Sequence, residues 1–160
     1  MTTKTLHIVR HGKALQDYNR IEDFDRPLIE KGILNNITAA KQLRAKYACP
    51  QLIISSHAAR ALHTAHNFAQ VMGYPHEKVQ VNEKFYLQGE NVISDVIEKL
   101  PDEIESVMIV GHNPDVTNVA SQYAQRYVEY MPTSGIVSIH FKTDRWSEIG
   151  KVKTEIVTIF

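Results

Sequence analysis

Short apolar runs alternate with longer amphipathic segments along this chain. Runs of hydrophobic and β-branched residues bounded by polar or turn-forming residues are typical of strands. They predict strands at residues 4–10, 51–55, 79–82, 107–110, 136–141 and 152–160. Apolar positions three or four residues apart predict helices at residues 32–46, 58–72 and 91–100, and from Pro114 to about Ala124.

Glycine, proline and asparagine mark several of the predicted boundaries. Gly73 lies just beyond the second helix, and Pro101 is expected to stop the third. Asn113 is predicted to cap the fourth helix, with Pro114 at its first helical position. Residues 13–30 show no regular period and are predicted to form a loop, while 142–150 read as the connection of a hairpin.

The order of these elements predicts the fold class. Strands separated by helices indicate a three-layer α/β/α sandwich around a mostly parallel central sheet. The chain shows no internal repeat, low-complexity tract or linker, and its 160 residues are enough to bury a core. We therefore predict one domain over residues 1–160.

Composition excludes several classes of function and partner. Eighteen basic and eighteen acidic residues cancel, so nothing in the charge balance favours nucleic acid or an anionic membrane. No apolar stretch approaches the ~20 residues that a membrane-spanning helix needs, and no secretory signal is visible. Cys49 is the only cysteine, which excludes an intramolecular disulfide and fits a reducing compartment. These features predict a cytoplasmic protein.

Charged and polar side chains follow three of the predicted strands. The first ends in Arg10-His11-Gly12, and the fourth in Gly111-His112. Arg60 lies just past the second strand, at the start of a helix. Open α/β sheets place ligand sites at the carboxyl ends of their strands, so we expect two histidines and two arginines to converge there.

Such a set of side chains suits phosphoryl transfer. A neutral imidazole is a nucleophile that can accept a phosphoryl group and release it to water, and cations stabilise the charge on the group in transit. We predict His11 as the nucleophile, with Arg10, Arg60 and a protonated His112 binding the phosphoryl group. Gly12 is expected to leave room for the substrate because it lacks a side chain.

Other polar residues have less specific interpretations. His57, His63 and His66 lie close together in the sequence, but no carboxylate or thiolate with recognised metal-ligand spacing accompanies them, so we predict no metal site. Arg26 is expected to be structural and to pair with the acidic loop that contains Asp23 and Asp25.

Taken in order, these motifs resemble those of the histidine phosphatase superfamily (the Arg-His-Gly branch 1), and the short chain resembles its SixA-type phosphohistidine phosphatases. The resemblance extends from residue 6 to about residue 141. It is carried by Arg10-His11-Gly12, Arg26-Pro27-Leu28, Ser55-Ser56-x-x-x-Arg60-Ala61-x-x-Thr64-Ala65, Gly111-His112-Asn113-Pro114 and Met131-Pro-Thr-Ser134. The chain departs from many relatives at His57, where they carry proline, and at His63, where they carry glutamine.

The resemblance implies a mechanism and a fold. It implies a covalent phosphohistidine intermediate on His11, no metal or organic cofactor, and a phosphoglycerate-mutase-like sandwich without a lid insertion. An open site would admit a phosphohistidine displayed on a protein, which is the expected partner. By position, Glu83 is the expected general acid that protonates the leaving group, with Glu90 as the alternative.

Two alternative functions remain open at the level of sequence. The same site could hydrolyse small phosphate esters, or the chain could be a phosphate-binding module without turnover. Retention of both His11 and Arg60 argues against the second alternative. The oligomeric state and the physiological substrate are not indicated by the sequence.

Overall fold

A computed structural model describes residues 3–160, except for the side chain of Ile156. The strands are β1 (Lys4–Arg10), β2 (Leu52–Ser55), β3 (Gln80–Val81), β4 (Ser106–Gly111), β5 (Ile136–Phe141) and β6 (Thr154–Ile159). The α-helices are α1 (Glu30–Lys46), α2 (Ala59–Met72), α3 (Glu90–Glu98) and α4 (Asp115–Ala124). None of the described helices is long and apolar enough to cross a membrane.

The strands form one mixed sheet in the order β3-β2-β4-β1-β5-β6. The four strands β1 to β4 run parallel, whereas β5 pairs antiparallel with β1 and with β6. Arg10 at the end of β1 is the register partner of Gly111 at the end of β4. The two histidine-bearing strands are thus parallel neighbours, which brings their carboxyl ends together at one edge of the sheet, as the expected convergence of the histidines requires.

Alternating residues of the strands bury the two faces of the sheet against different helices. Leu6 and Ile8 pack in a cluster with residues of α3 and α4, such as Ile93. Val9 packs on the opposite side with residues of α1 and α2, such as Phe68. Side chains alternate between the faces of a strand, so the fold is the predicted three-layer sandwich.

Some helix boundaries differ from the predicted ones. The fourth helix begins at Asp115 with Pro114 at the cap position, one residue later than expected. Asn113 still contacts its first turn, because Asn113 Oδ1 accepts hydrogen bonds from the Thr117 amide (3.3 Å) and hydroxyl (2.6 Å). The third helix ends at Glu98, three residues before Pro101.

The segment between β1 and α1 is irregular, as predicted. It contains a short 3₁₀ turn at Asp23–Asp25 and one antiparallel bridge between Ala14 and Leu28. The connection after β2 is also short, because α2 begins at Ala59. The described chain therefore carries no lid insertion in either place.

Candidate active site

The ends of β1 and β4 bring two histidine rings together. His11 follows β1 and His112 follows β4, and the centroids of their rings are 5.0 Å apart. Arg60, in the first turn of α2, places its Nε 3.3 Å from His11 Nε2. The structure thus brings together three of the predicted site residues, and Arg10 lines the same cavity as these three.

His11 is buried and held in one orientation. Its side-chain Nδ1 is 2.7 Å from the carbonyl oxygen of Gly12, to which it donates, so the lone pair is on Nε2 and faces Arg60. Burial lowers the pKa of His11 to about 4, and the charges of Arg60 and Arg10 act in the same direction. A neutral imidazole with Nε2 exposed to the ligand space is the form that can act as a nucleophile.

His112 is held by a different nitrogen. Its Nε2 lies 2.9 Å from Ser56 Oγ, which itself accepts the amide hydrogen of Ala58 (3.2 Å). The Ser56 hydroxyl can therefore donate to His112 Nε2, which favours the tautomer with the proton on Nδ1. Burial and the neighbouring His11 lower the pKa of His112 to about 2. The expectation of a protonated His112 is thus corrected: the neutral ring already offers an N–H donor.

Two buried polar atoms at this site have no hydrogen-bond partner in the described part of the chain. They are Arg10 Nε and His112 Nδ1. Arg10 is otherwise anchored, since its Nη1 donates to the Met131 carbonyl (2.9 Å) and its guanidinium lies 5.4 Å from the Tyr130 ring centre. Buried donors are usually satisfied, so two unpaired donors on one site indicate a ligand that accepts hydrogen bonds.

A cavity of about 200 Å³ lies at this end of the sheet. It is lined by Arg10, His11, Lys13, Ala14, Gln16, Tyr18, Arg26, Arg60, Leu87, His112, Asn113 and Thr133. This lining, as far as the chain is described, includes four permanent cations and no carboxyl side chain. The charge and the donors suit an anion such as a phosphoryl group.

Gly12 serves packing rather than substrate access. A Cβ at this position would lie 2.7 Å from Oδ1 and 2.8 Å from Nδ2 of Asn36. The Gly12 amide donates to Thr64 Oγ1 (3.0 Å), and Asn36 Nδ2 donates to the same oxygen (3.0 Å). The expectation that Gly12 leaves room for the substrate is therefore corrected: its missing side chain leaves room for Asn36 of α1.

Ser134 connects the main chain at His11 to Asn36 of α1 through hydrogen bonds. Its amide hydrogen is shared between the carbonyl oxygens of Arg10 (3.2 Å) and His11 (3.1 Å), and its hydroxyl donates to Asn36 Oδ1 (2.6 Å). Sequence reasoning singled out Ser134 and missed Asn36. The available signal was a polar residue among the apolar positions of α1, where it is fully buried.

The predicted general acid does not reach the cavity. Glu83 is exposed in a 3₁₀ turn at Glu83–Phe85 and is absent from the cavity lining, as is Glu90 at the start of α3. Tyr86 reaches the site instead, with its ring centre 5.3 Å from that of His112. The turn directs the side chain of Glu83 to solvent, a direction that its position in the sequence does not reveal.

Asp23 is a site residue that sequence reasoning had assigned only to the pairing of Arg26. The predicted pair exists, with Arg26 Nε 3.0 Å from Asp23 Oδ1. Asp23 also contacts Arg60 through its carbonyl oxygen (2.7 Å) and Oδ2 (3.1 Å). Burial alone would raise the pKa of Asp23, but the Tyr86 hydroxyl and the two guanidinium groups lower it to about 2. Asp23 is therefore a carboxylate beside the cavity.

The histidines in and near α2 do not assemble into a metal-binding group. His57 packs edge-on against Phe24, with ring centres 4.6 Å apart, whereas His66 Nδ1 lies 2.8 Å from His76 Nδ1. Within residues 3–160, no three histidine, cysteine or acidic side chains are placed to hold a metal ion together.

Comparisons with known proteins agree with this architecture. A sequence profile of the histidine phosphatase superfamily (branch 1) matches residues 6–130. An uncharacterized protein of Mycobacterium tuberculosis is 26% identical over 152 residues, which cover 88% of this chain and 91% of the relative.

Two solved structures share the fold. The protein histidine phosphatase SixA, complexed with tungstate, matches with a TM-score of 0.81 at 21% identity over 96% of each chain. A phosphoglycerate mutase from Bacillus anthracis matches with a TM-score of 0.63 at 16% identity, over 94% of this chain and 96% of its own.

Proposed function

The chain belongs to the histidine phosphatase superfamily (branch 1), a membership that supports phosphatase activity, and we propose that it removes the phosphoryl group from phosphohistidine in a protein. The reaction proceeds through a covalent intermediate on His11. The observation that carries the proposal is the cavity lining, which combines four cations and two histidines with no carboxyl side chain among the residues described.

In the first step, His11 Nε2 attacks the phosphorus atom of the substrate. The bond between phosphorus and the substrate imidazole breaks, and the departing nitrogen keeps the electron pair and takes a proton from solvent. Arg10 Nε and His112 Nδ1, the two unpaired donors, face the phosphoryl oxygens, and Arg60, whose Nε lies 3.3 Å from His11 Nε2, donates to one of these oxygens from beside the attacking nitrogen. These donors stabilise the charge of the transition state.

In the second step, water attacks the phosphorus atom of phosphorylated His11. The bond to Nε2 breaks, the electron pair returns to the ring, and the proton lost by water leaves with phosphate or solvent. The Nδ1 donor bond to Gly12 keeps Nε2 directed at the cavity throughout. Neither step calls for a metal or an organic cofactor.

The absence of a carboxyl side chain from the described cavity lining favours phosphohistidine over an ester. An alkoxide leaving group is strongly basic and benefits from a positioned general acid, whereas an imidazole nitrogen is protonated readily near neutral pH. Glu83 and Glu90 are not among the lining residues, so neither is placed to serve an ester substrate.

Access to the cavity favours a protein substrate. No inserted segment covers it in the described chain, and the exposed side chains of Tyr18 and Leu87 form part of its rim. A histidine displayed on a protein surface can approach such an opening. The similarity in fold to a protein histidine phosphatase is consistent with this substrate class.

The proposal is tested by acid-quench labelling with a phosphohistidine-bearing protein and, in parallel, with sugar phosphates. The wild type is expected to release phosphate from the protein donor and to carry a transient acid-labile, base-stable label, while His11→Ala does neither. Faster turnover of sugar phosphates would establish the ester function instead. Turnover by His11→Ala would reject the nucleophile, and binding without release would indicate a phosphate-binding module.

A further inference from the structure

We propose that Asp23 is a positioning residue that holds Arg60 in the orientation needed for phosphoryl transfer. The inference rests on the proposed function, because it concerns the same transfer through His11. It is carried by the contacts of one residue on a surface turn: the main-chain oxygen and the carboxylate of Asp23 connect α2, the loop after β1 and the loop before α3.

The contacts of Asp23 engage both terminal nitrogens of one guanidinium. Arg60 Nη1 donates to the main-chain oxygen of Asp23 (2.7 Å), and Nη2 donates to its Oδ2 (3.1 Å). The third nitrogen, Nε, points at His11 Nε2 (3.3 Å). Because a guanidinium is planar and rigid, fixing two nitrogens through Asp23 also fixes the direction of the third.

This arrangement leaves donors for the substrate. A guanidinium has five N–H groups, and the contacts to Asp23 and His11 occupy one on each nitrogen, so each terminal nitrogen keeps one hydrogen for a phosphoryl oxygen. When His11 attacks, the Arg60 Nε–H near its lone pair lies beside the incoming phosphoryl group and can donate to one of its oxygens. Asp23 thereby limits the rotation of a long, flexible side chain before the substrate arrives.

The carboxylate is itself held from two other sides. Arg26 Nε donates to Asp23 Oδ1 (3.0 Å), and the Tyr86 hydroxyl donates to Oδ2 (2.5 Å). The Tyr86 ring also lies 5.3 Å from the His112 ring. Asp23 is therefore fixed relative to both predicted phosphoryl-binding side chains, Arg60 and His112.

Because the Asp23 side chain is partly exposed, its effect on catalysis can be distinguished from its effect on folding stability. Its side chain is 39% exposed, whereas that of Arg60 is 4% exposed. Ion pairs with a partly exposed partner contribute modestly to folding stability, so loss of the carboxylate should lower stability somewhat but leave the protein folded. Misplacement of a transition-state donor, in contrast, can slow catalysis by orders of magnitude.

The decisive variant is Asp23→Asn, with Asp25→Asn as the matched control because Asp25 is an exposed residue of the same 3₁₀ turn. On a phosphohistidine-bearing protein, Asp23→Asn is expected to lower kcat by about tenfold or more. Inhibition by inorganic phosphate should stay within about threefold of wild type, because the charge of Arg60 remains. Asp25→Asn should match the wild type in both, and all three proteins should stay folded at the assay temperature.

A double-mutant cycle tests whether Asp23 acts through Arg60. Arg60→Lys keeps the charge but removes the rigid fork, so adding Asp23→Asn to it should lower kcat by less than about twofold. Tyr86→Phe removes one support of the carboxylate and should lower kcat by a smaller factor than Asp23→Asn. It also provides a second test if Asp23→Asn proves unstable.

The outcomes separate this inference from the proposed function. The positioning role is overturned if the losses of kcat in the cycle are independent and multiply. It is also overturned if Asp23→Asn has a wild-type or higher kcat, and a higher kcat would show that Asp23 competes with the substrate for Arg60. Failure of both the wild type and Asp25→Asn to dephosphorylate the protein donor overturns the proposed function instead.

Discussion

The ends of β1 and β4 are paired in register, yet they present their histidines in different ways. His11 donates from Nδ1 to the carbonyl of Gly12 and leaves Nε2 to face the cavity. His112 is held at Nε2 by Ser56 and leaves Nδ1 without a partner in the described chain. One strand end thus offers a lone pair and the other offers a donor.

The position of a histidine in the sheet therefore does not by itself assign its chemical role. Both rings are buried, and the pKa of each is lowered, to about 4 for His11 and about 2 for His112. Two neutral histidines side by side are suited to the proposed roles of nucleophile and hydrogen-bond donor because each has one nitrogen occupied by a neighbour.

We expect the largest loss of activity when one of the two histidines at the strand ends is removed, and we expect the two losses to differ. His11→Ala should lower turnover of the phosphohistidine protein by about 10³-fold or more and abolish the covalent label. His112→Ala should lower turnover by about 10²-fold but still form the label, because the nucleophile remains. Rapid-quench labelling measures both, with His63→Ala, an exposed residue of α2, as the control. Label on the His11→Ala protein would contradict the assignment.

Alanine substitutions of the glycines beside the two histidines are also expected to differ in their effect on folding stability. Alanine at Gly12 would meet both polar atoms of the buried Asn36 amide, whereas alanine at Gly111 would meet a single Val116 methyl at 3.0 Å. Overpacking of this kind lowers the free energy of unfolding by about 1–3 kcal/mol. We expect Gly12→Ala to lower it more than Gly111→Ala does. Urea denaturation measures the difference, and Gly150→Ala is the control because its nearest contact is 3.5 Å away. Equal losses would show that Asn36 can move aside.

A third prediction concerns acid stability. The pKa values of His11 and His112 are lowered by folding, so between pH 6.5 and about 4 the unfolded chain binds protons that the folded protein does not. The free energy of unfolding should therefore fall as the pH falls through this window, by on the order of 1 kcal/mol per unit for each histidine. Denaturation between pH 7 and 4.5 measures this slope, which His112→Asn should reduce and His63→Asn should not. An unchanged slope for His112→Asn would mean that His112 is not buried as a neutral ring.

We expect the smallest change in kcat from substitution of Glu83, the general acid that the sequence predicted. Because Glu83 is exposed and outside the cavity lining, Glu83→Gln should change kcat on the phosphohistidine protein by less than about twofold. Steady-state rates between pH 5 and 8 provide the measurement, with Lys84→Gln as the neighbouring exposed control. A tenfold loss confined to Glu83→Gln would show that the loop before α3 rearranges to bring this carboxyl to the substrate.

Much of the fold was predictable because its signals are local. Apolar runs and 3.6-residue periods mark β1, β4, α1 and α2 within a few residues of their observed ends. The convergence of His11, His112 and Arg60 followed from the rule that parallel strands end at one edge. The start of α4 was misplaced by one residue: Pro114 occupies the cap position, and Asn113, which precedes it, accepts hydrogen bonds from Thr117 in the first turn.

The support of the site was not predictable, because its contacts join residues far apart in sequence. Asn36 bonds Ser134 across 98 positions, and Asp23 bonds Tyr86 across 63. No pattern along the chain marks such a pair. For the same reason Gly12 was assigned to the substrate, and the side chain of Glu83 was expected in the cavity, when only packing between elements fixes the surroundings of either residue.

The residues at the ends of the parallel strands can be identified from the sequence, since hydrophobic periodicity and the Arg-His-Gly motif involve adjacent positions. The nitrogen of each histidine that faces the cavity, and the contacts of Asp23 with Arg60, are known only from the packed structure. Those decisions depend on hydrogen bonds with defined distances and directions between separate elements, and such geometry exists only once the sheet and its helices have packed together.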